Sequence, residues 1–265
     1  MIESSLTRRP VLSAAAGALV IAFSAPLVKL ADVSPSTAAV FRCAYALPVL
    51  GLLAWLERRR HGPAERRDRR LALLAGVFFA ADLTFWHHSI EAVGAGLATV
   101  LANVQVVLVG LLAWGVLGER PDARSVRSVP LALVGVLLIS GAIGAGAYGE
   151  DPALGVLYGL LTALAYAGFL LVLRNAGGVG RRPAGPLFDA TLSATAVGLL
   201  GGLVVGDFDP VPEAGSQAWL VTLALTSQVL GWMLISLALP RVPALITSIV
   251  LTIQPVGSVV LSQIK

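Results

Sequence analysis

The chain has 265 residues, 57% of them hydrophobic and 13% charged, with a pI near 9.7. A soluble domain carries roughly 25% charged residues to clothe its surface, so a water-soluble globule of this size is excluded. The basic balance does not indicate nucleic acid, because most of the arginines lie in short loops between apolar runs.

In chain order the sequence predicts nine apolar segments: Val11–Leu30, Ser36–Leu56, Leu71–Ile90, Ala95–Leu117, Val126–Ala147, Ala153–Leu173, Leu187–Gly206, Gln217–Leu239 and Ala244–Ile264. Each is about 20 residues, enough at 1.5 Å per residue to cross a hydrocarbon core about 30 Å thick. Helix is the state that satisfies every backbone group inside lipid, and the alternation of a membrane barrel is absent. The fold class is therefore an all-α integral membrane bundle. Before the first segment, Thr7-Arg8-Arg9-Pro10 faintly resembles a twin-arginine export signal, but no small-x-small cleavage site follows. It reads as a charge pair at the cytoplasmic end of a first span. The single cysteine, Cys43, lies inside an apolar segment and reads as packing.

Placing the N-terminus inside puts 16 basic residues on one side. These are Arg8, Arg9, the seven arginines from Arg58 to Arg70, Arg120, Arg124, Arg127, Arg174, Arg181, Arg182 and Arg241. The opposite side has Lys29 alone and carries the acids Asp32, Glu91, Glu150, Asp151, Asp207, Asp209 and Glu213. By the positive-inside rule the N-terminus is cytoplasmic in a multi-pass cell-membrane (plasma or inner membrane) protein.

The chain also overlays weakly on itself. With an offset of 150, Leu101-Ala-Asn-Val-Gln105 falls on Leu251-Thr-Ile-Gln-Pro255; with 147, Phe41 falls on Phe188 and Gly51-Leu-Leu on Gly198-Leu-Leu; with 142, Gly17 falls on Gly159. Five spans fill the first copy, so a second copy must enter from the other side. This predicts an inverted repeat, 1–148 and 149–265, a plan that frames a site near the membrane midplane in many transporters.

At this point the sequence resembles the drug/metabolite transporter superfamily, EamA type. The resemblance rests on Arg42, on Asp82-Leu-Thr-Phe-Trp-His-His-Ser-Ile90, on Leu101-Ala-Asn-Val-Gln-Val-Val-Leu-Val and Leu117-Gly-Glu-Arg120, and on Leu251-Thr-Ile-Gln-Pro-Val256. It implies a permease for small solutes, with ten spans in two halves. Two departures stand out: Gln105 occupies the place of a usual fourth-span proline, which Pro255 keeps in the ninth. The sequence also ends before a second Gly-Glu-Arg-like exit and a tenth helix, giving five plus four.

Ionisable groups inside a membrane are costly and are functional candidates by default. Asp82 falls near the bilayer centre. At about 100° per residue it shares a face with Phe78, Phe85, Trp86 and Ser89. The offset of 150 carries Phe78, Asp82 and Trp86 onto Gln228, Trp232 and Ser236, a second polar and aromatic stripe. Arg42 is placed to snorkel, to bind an anionic group or to pair with Asp82. Its counterpart Asp189 falls near a membrane face. Asn103, Gln105, Tyr166 and Gln254 are uncharged polar groups at mid-depth that either touch solute or hold helices together.

His87 pairs at i, i+4 with Glu91, and no metal or cofactor site emerges. Gly202 and Gly206 form a GxxxG step, read as helix packing rather than a dimer signal, with a homodimer left open. The function expected is secondary transport of a small metabolite, by export of amino-acid-like or drug-like solutes and with protons as candidate partners. An intramembrane enzyme or a non-catalytic membrane subunit is the alternative. No Gly-x-x-x-x-Gly-Lys-Ser/Thr, HExxH or Gly-x-Ser-x-Gly motif is present.

Overall fold

The computed structural model describes residues 9–139, 151–177 and 182–257, and among these every regular element is helical. The helices are α1 (Pro10–Ala22), α2 (Ser24–Ala31), α3 (Pro35–His61), α4 (Arg66–Asn103), α5 (Gln105–Leu117), α6 (Ala123–Ile139), α7 (Pro152–Ala176), α8 (Ala184–Val205), α9 (Ala214–Leu223), α10 (Trp232–Ala238) and α11 (Ala244–Leu251). A π-helical segment, Ala224–Gly231, joins α9 to α10. Seven stretches are long and apolar enough to span a membrane: Pro10–Ala31, Pro35–His61, Arg66–Gly94, Leu97–Leu117, Pro152–Ala176, Ala184–Val205 and Ala214–Ala238. They fall on seven of the nine predicted segments. Helix α6 and the apolar stretch Ala244–Gly257 fall on the fifth and ninth, whose remaining residues lie outside the described ones. So do the boundary at 148/149 and Arg8 of the N-terminal pair.

Local chemistry sets the ends. Proline opens α1, α3 and α7, where its missing N–H costs nothing. Ser34 and Asp151 cap α3 and α7 by accepting from the Thr37 and Leu154 amides. Gly118 and Gly206 close α5 and α8 in the left-handed region, and Gly94 (φ 80°) turns the chain between the third and fourth spans. Gly206 is thus a helix cap. Its GxxxG companion Gly202 packs inside the chain, where an added Cβ would stand 2.8 Å from Ser36 Cβ.

Two spans are broken at mid-course. The fourth is interrupted at Val104 between α4 and α5. The ninth breaks at Thr252, because Pro255 has no N–H for the Leu251 carbonyl and its ring crowds that carbonyl.

Each of the first four spans packs mainly on the sixth to ninth. Helix α4 lies along α7 and α8, α3 along α8 and the π segment, α5 on α7 and α11, and α1 on α10 and the π segment. In span order, the second meets the seventh and the fourth meets the ninth. The third meets the sixth and seventh, as the eighth meets the first and second. Exchanging each span with the one five along leaves this set of contacts unchanged.

Lipid supplies no hydrophobic drive between helices, so close approach through small residues holds such a bundle. A Cβ on Gly76 would meet the Ala190 carbonyl at 2.1 Å, and one on Gly17 would meet the Gly231 carbonyl at 2.7 Å. Gly155 and Gly159 receive Val93 and Leu101, and Gly168 lies against Phe78.

Carboxylates tie the halves together at both ends of the bundle. At the arginine-rich end, Glu57 accepts from the Ala184 and Gly185 amides at 3.1 and 2.7 Å, capping α8. At the opposite end, Asp207 accepts from the Ser36 amide at 3.3 Å, near the start of α3, and its carbonyl accepts from the Ser34 hydroxyl. The second and seventh spans therefore cap one another reciprocally. Glu119, just past α5, does the same for α11 through the Ala244 amide at 3.0 Å, and also meets Arg174 at 2.5 Å.

Candidate functional site

The polar residues at mid-depth gather where α3, α4, α7 and the π segment converge. Arg42 projects from α3 and donates from Nε to Gln228 Oε1 at 3.1 Å. Gln228 lies within the π segment and is almost fully buried. Its amide donates to Thr191 Oγ1 on α8 at 3.1 Å. One side-chain amide thus spends its acceptor on the arginine and a donor on the threonine, which fixes the guanidinium from one edge. The π turn, with its i→i+5 ladder, changes the register that sets where Gln228 points, and such turns recur at functional sites.

Beneath the guanidinium lies Phe79, 5.6 Å from the Arg42 Cζ, in cation–π range. Phe79 packs on Phe169 (4.7 Å between centroids) and edge-on to Trp232 (5.9 Å). Trp232 also meets Phe169 at 4.8 Å and Tyr166 at 6.3 Å. Residues of α4, α7 and α10 thereby form one aromatic wall.

Several polar atoms on or near this wall are buried without a hydrogen-bond partner: Trp232 Nε1, the Tyr166 hydroxyl, Gln254 Nε2 and Ser236 Oγ. Tyr166 faces the Gln254 side chain, but neither atom completes a bond with the other. Asp82 is 8% exposed. It lies within electrostatic reach of Arg42 and Tyr166 but has no hydrogen-bond or ion-pair partner among the described residues.

Arg42, Asp82, Tyr166, Gln228, Trp232 and Gln254 are thus brought into one neighbourhood. The other candidates sit elsewhere. Asn103 donates to the Thr99 carbonyl of its own helix at 2.8 Å. Gln105 donates to the Ser248 carbonyl at 3.4 Å, joining the fourth span to the ninth, and its Oε1 has no partner. Trp86 meets the ring of His87.

The rest of the Asp82 stripe is a packing face for α7. Phe78 covers Gly168, Phe85 stacks on Tyr158, and Ser89 donates to the Gly155 carbonyl at 2.9 Å. The pairing expected for His87 belongs to its neighbour: His88 Nδ1 stands 3.3 Å from Glu91, while His87 Nδ1 bonds the Leu83 carbonyl. Asp189 pairs with Arg69 at 3.3 Å, toward the arginine-rich end.

Phe79, Phe169 and Thr191 join the site without having been expected there. Phe79 and Phe169 carry no signal in the sequence, since one more aromatic in an apolar span is unremarkable. Thr191 carries none either: the residue of the seventh span that faces the level of Arg42 is Gly198, against Val40, and Thr191 is linked to Arg42 only through Gln228.

Comparison with known proteins bears on the whole arrangement. A search of curated proteins returns no match. A solved crystal structure superposes with a TM-score of 0.74 at 16% identity, covering 97% of this chain and 87% of that one, so the two share a fold. The profile of the EamA-like transporter family matches residues 8–141, half of the chain and all of its first four spans. With a polytopic helical bundle and a buried polar cluster at its centre, the chain belongs to the EamA-like transporter family.

Proposed function

We propose that this protein is a secondary transporter that exports a small metabolite, amino-acid-like or drug-like, through the cluster around Asp82 and Arg42. The carrying observation is the set of buried polar groups left unpartnered where the two halves meet. An unpaired carboxylate and orphaned donors inside a membrane are costly. A site that a guest completes explains why they are retained. The inverted repeat of 1–148 and 149–265 fits this reading. It is supported by the contact set that survives exchange of spans and by the reciprocal caps of Glu57 and Asp207.

In this reading the arginine-rich end is cytoplasmic, as the positive-inside rule has it. Asp82 is the coupling group: its carboxylate takes either a proton or a cationic group of the solute. The test is flux into proteoliposomes with and without a proton gradient. Asp82→Asn should abolish uphill transport. Downhill exchange survives if Asp82 carries the proton, and fails with binding if Asp82 holds the solute. Normal uphill transport by the mutant across the pH range sinks the assignment. The alternative, an intramembrane enzyme or a non-catalytic subunit, would show no flux at all.

A further inference from the structure

We propose that the solute accepted here carries a carboxylate attached to a flat apolar body, the carboxylate seating on the free edge of Arg42 and the flat body on the aromatic wall. This rests on the transport reading above and deepens it by naming the substrate class.

Arg42 has donors left over. A guanidinium offers five N–H donors in a planar fork. Here Nε is committed to Gln228, and no described residue accepts from the two Nη groups. The residue is half-buried, and no ion pair joins those groups to a protein carboxylate among the described residues. The remaining Nη pair is the end of the fork that grips a carboxylate bidentately.

The orphaned groups nearby point the same way. Trp232 Nε1 can only donate, the Gln254 amide nitrogen can only donate, and the Tyr166 hydroxyl is free to donate. A cluster dominated by donors is completed by a guest rich in acceptors, and a cationic amine would leave them unmet. Asp82 is the one acidic group in the neighbourhood among the described residues. Of the two roles the transport reading gives it, the proton carrier is the one that suits an arriving anion, since a protonated Asp82 does not repel it.

The apolar half of the guest follows from the wall. Phe79, Phe169 and Trp232 lie within 6 Å of one another. Phe79 sits directly under the guanidinium, so a flat body can stack beside the charge it carries. Aromatic contacts of this kind favour planar partners over branched aliphatic ones.

Three probes of one shape separate the possibilities: phenylacetate, phenylacetamide and phenethylamine. Binding to the purified full chain in detergent is read by the shift of its thermal unfolding, and transport by flux into proteoliposomes. Phenylacetate should bind about tenfold or more tightly than phenylacetamide, the scale of a hydrogen-bonded charge against a neutral pair. Arg42→Lys, which keeps the charge and loses the fork, should remove that preference. Trp232→Phe, which keeps an aromatic ring and loses the N–H, should reduce it in a protein that still unfolds cooperatively.

Tighter binding of phenethylamine, equal binding of acid and amide, or no binding of any probe overturns the substrate class. Binding of phenylacetate that depends on Arg42, without flux of any probe, leaves the class standing and overturns transport. Flux of phenethylamine that depends on Asp82 does the reverse.

Discussion

Glu119 stands just beyond α5 and is shared between two spans of the other half. Arg174 Nη1 approaches at 2.5 Å from α7, and the Ala244 amide donates at 3.0 Å from the start of α11. The side chains of Arg174 and Glu119 are 15% and 28% exposed. That places the ion pair between an exposed one, worth about 0–1 kcal/mol, and a buried one, whose disruption costs about 3–5 kcal/mol.

Glu119→Gln keeps the size and the cap and removes the charge, and should cost about 1–2 kcal/mol. Glu119→Ala removes the cap as well, adding about 1 kcal/mol. Arg174→Gln should cost a similar amount to Glu119→Gln, and the double mutant should cost less than the sum by about 1 kcal/mol. The assay is unfolding in mixed micelles of increasing SDS fraction, followed by helicity.

The pH dependence has a fixed sign. Burial alone would raise the Glu119 carboxyl, but the Arg174 guanidinium and the Ala244 N–H outweigh it and hold the group below its ordinary value. A carboxyl depressed in the folded state contributes stability above its unfolded pKa of about 4.3, and that contribution is lost as pH falls through the lower folded value. The advantage of the native chain over Glu119→Gln should be flat from about pH 5 to 8 and shrink below about pH 4. Additive mutants, with a coupling under about 0.3 kcal/mol, or an advantage that grows on acidification, would refute the reasoning.

Other outcomes are equally checkable. Gly76→Val forces side-chain atoms into the Ala190 carbonyl and should cost at least about 3 kcal/mol, seen as lost monodispersity in detergent; Gly115→Ala, with open space around it, should be neutral or stabilising by up to about 1 kcal/mol. A protein with Ala64→Cys in a Cys43→Ser background should resist an impermeant thiol reagent applied to intact cells, and labelling from outside would invert the topology. Gln228→Ala releases both Arg42 and Thr191; solute KM should rise about tenfold, the scale of one lost hydrogen bond to a charged group, with protein abundance unchanged, and an unaltered KM would show that Arg42 needs no anchoring.

The span positions are legible because charge and hydropathy alternate along the chain on the scale of a bilayer. Asp82 and Arg42 are legible because an ionisable group stands out against an apolar background. The offset of 150 adds Gln228 and Trp232, which a single-residue scan passes over.

Which side of a helix faces the interior is harder to read. Phe78, Phe85 and Ser89 share a face with Asp82 in sequence, and in the fold that face seats α4 on α7. The ring under Arg42 is Phe79, one residue along from Phe78. In water, the segregation of polar from apolar residues around a helix marks its buried face. In lipid both faces are apolar, and orientation is decided by small residues on the partner helix, which sequence spacing on one helix does not reveal. The π segment is hidden too, since nothing in Ala-Leu-Thr-Ser-Gln-Val-Leu-Gly marks a wider turn.

The distance along the chain between partners has a consequence for biosynthesis. The Ser13 hydroxyl finds its acceptor in the Leu234 carbonyl, 221 residues later. At a synthesis rate of roughly 5–20 residues per second, that carbonyl emerges about 10–40 s after the serine. Through that interval the first span sits in the bilayer with Gly17 uncovered and Ser13 without the acceptor it finally uses, and the same holds for Gly76 until Ala190 arrives. The early helices must wait as separate, loosely held rods, and the chain closes only when the eighth span threads back against the first. A ribosome stalled once the first four spans had emerged would leave in the membrane a set of helices whose main partners had not been made.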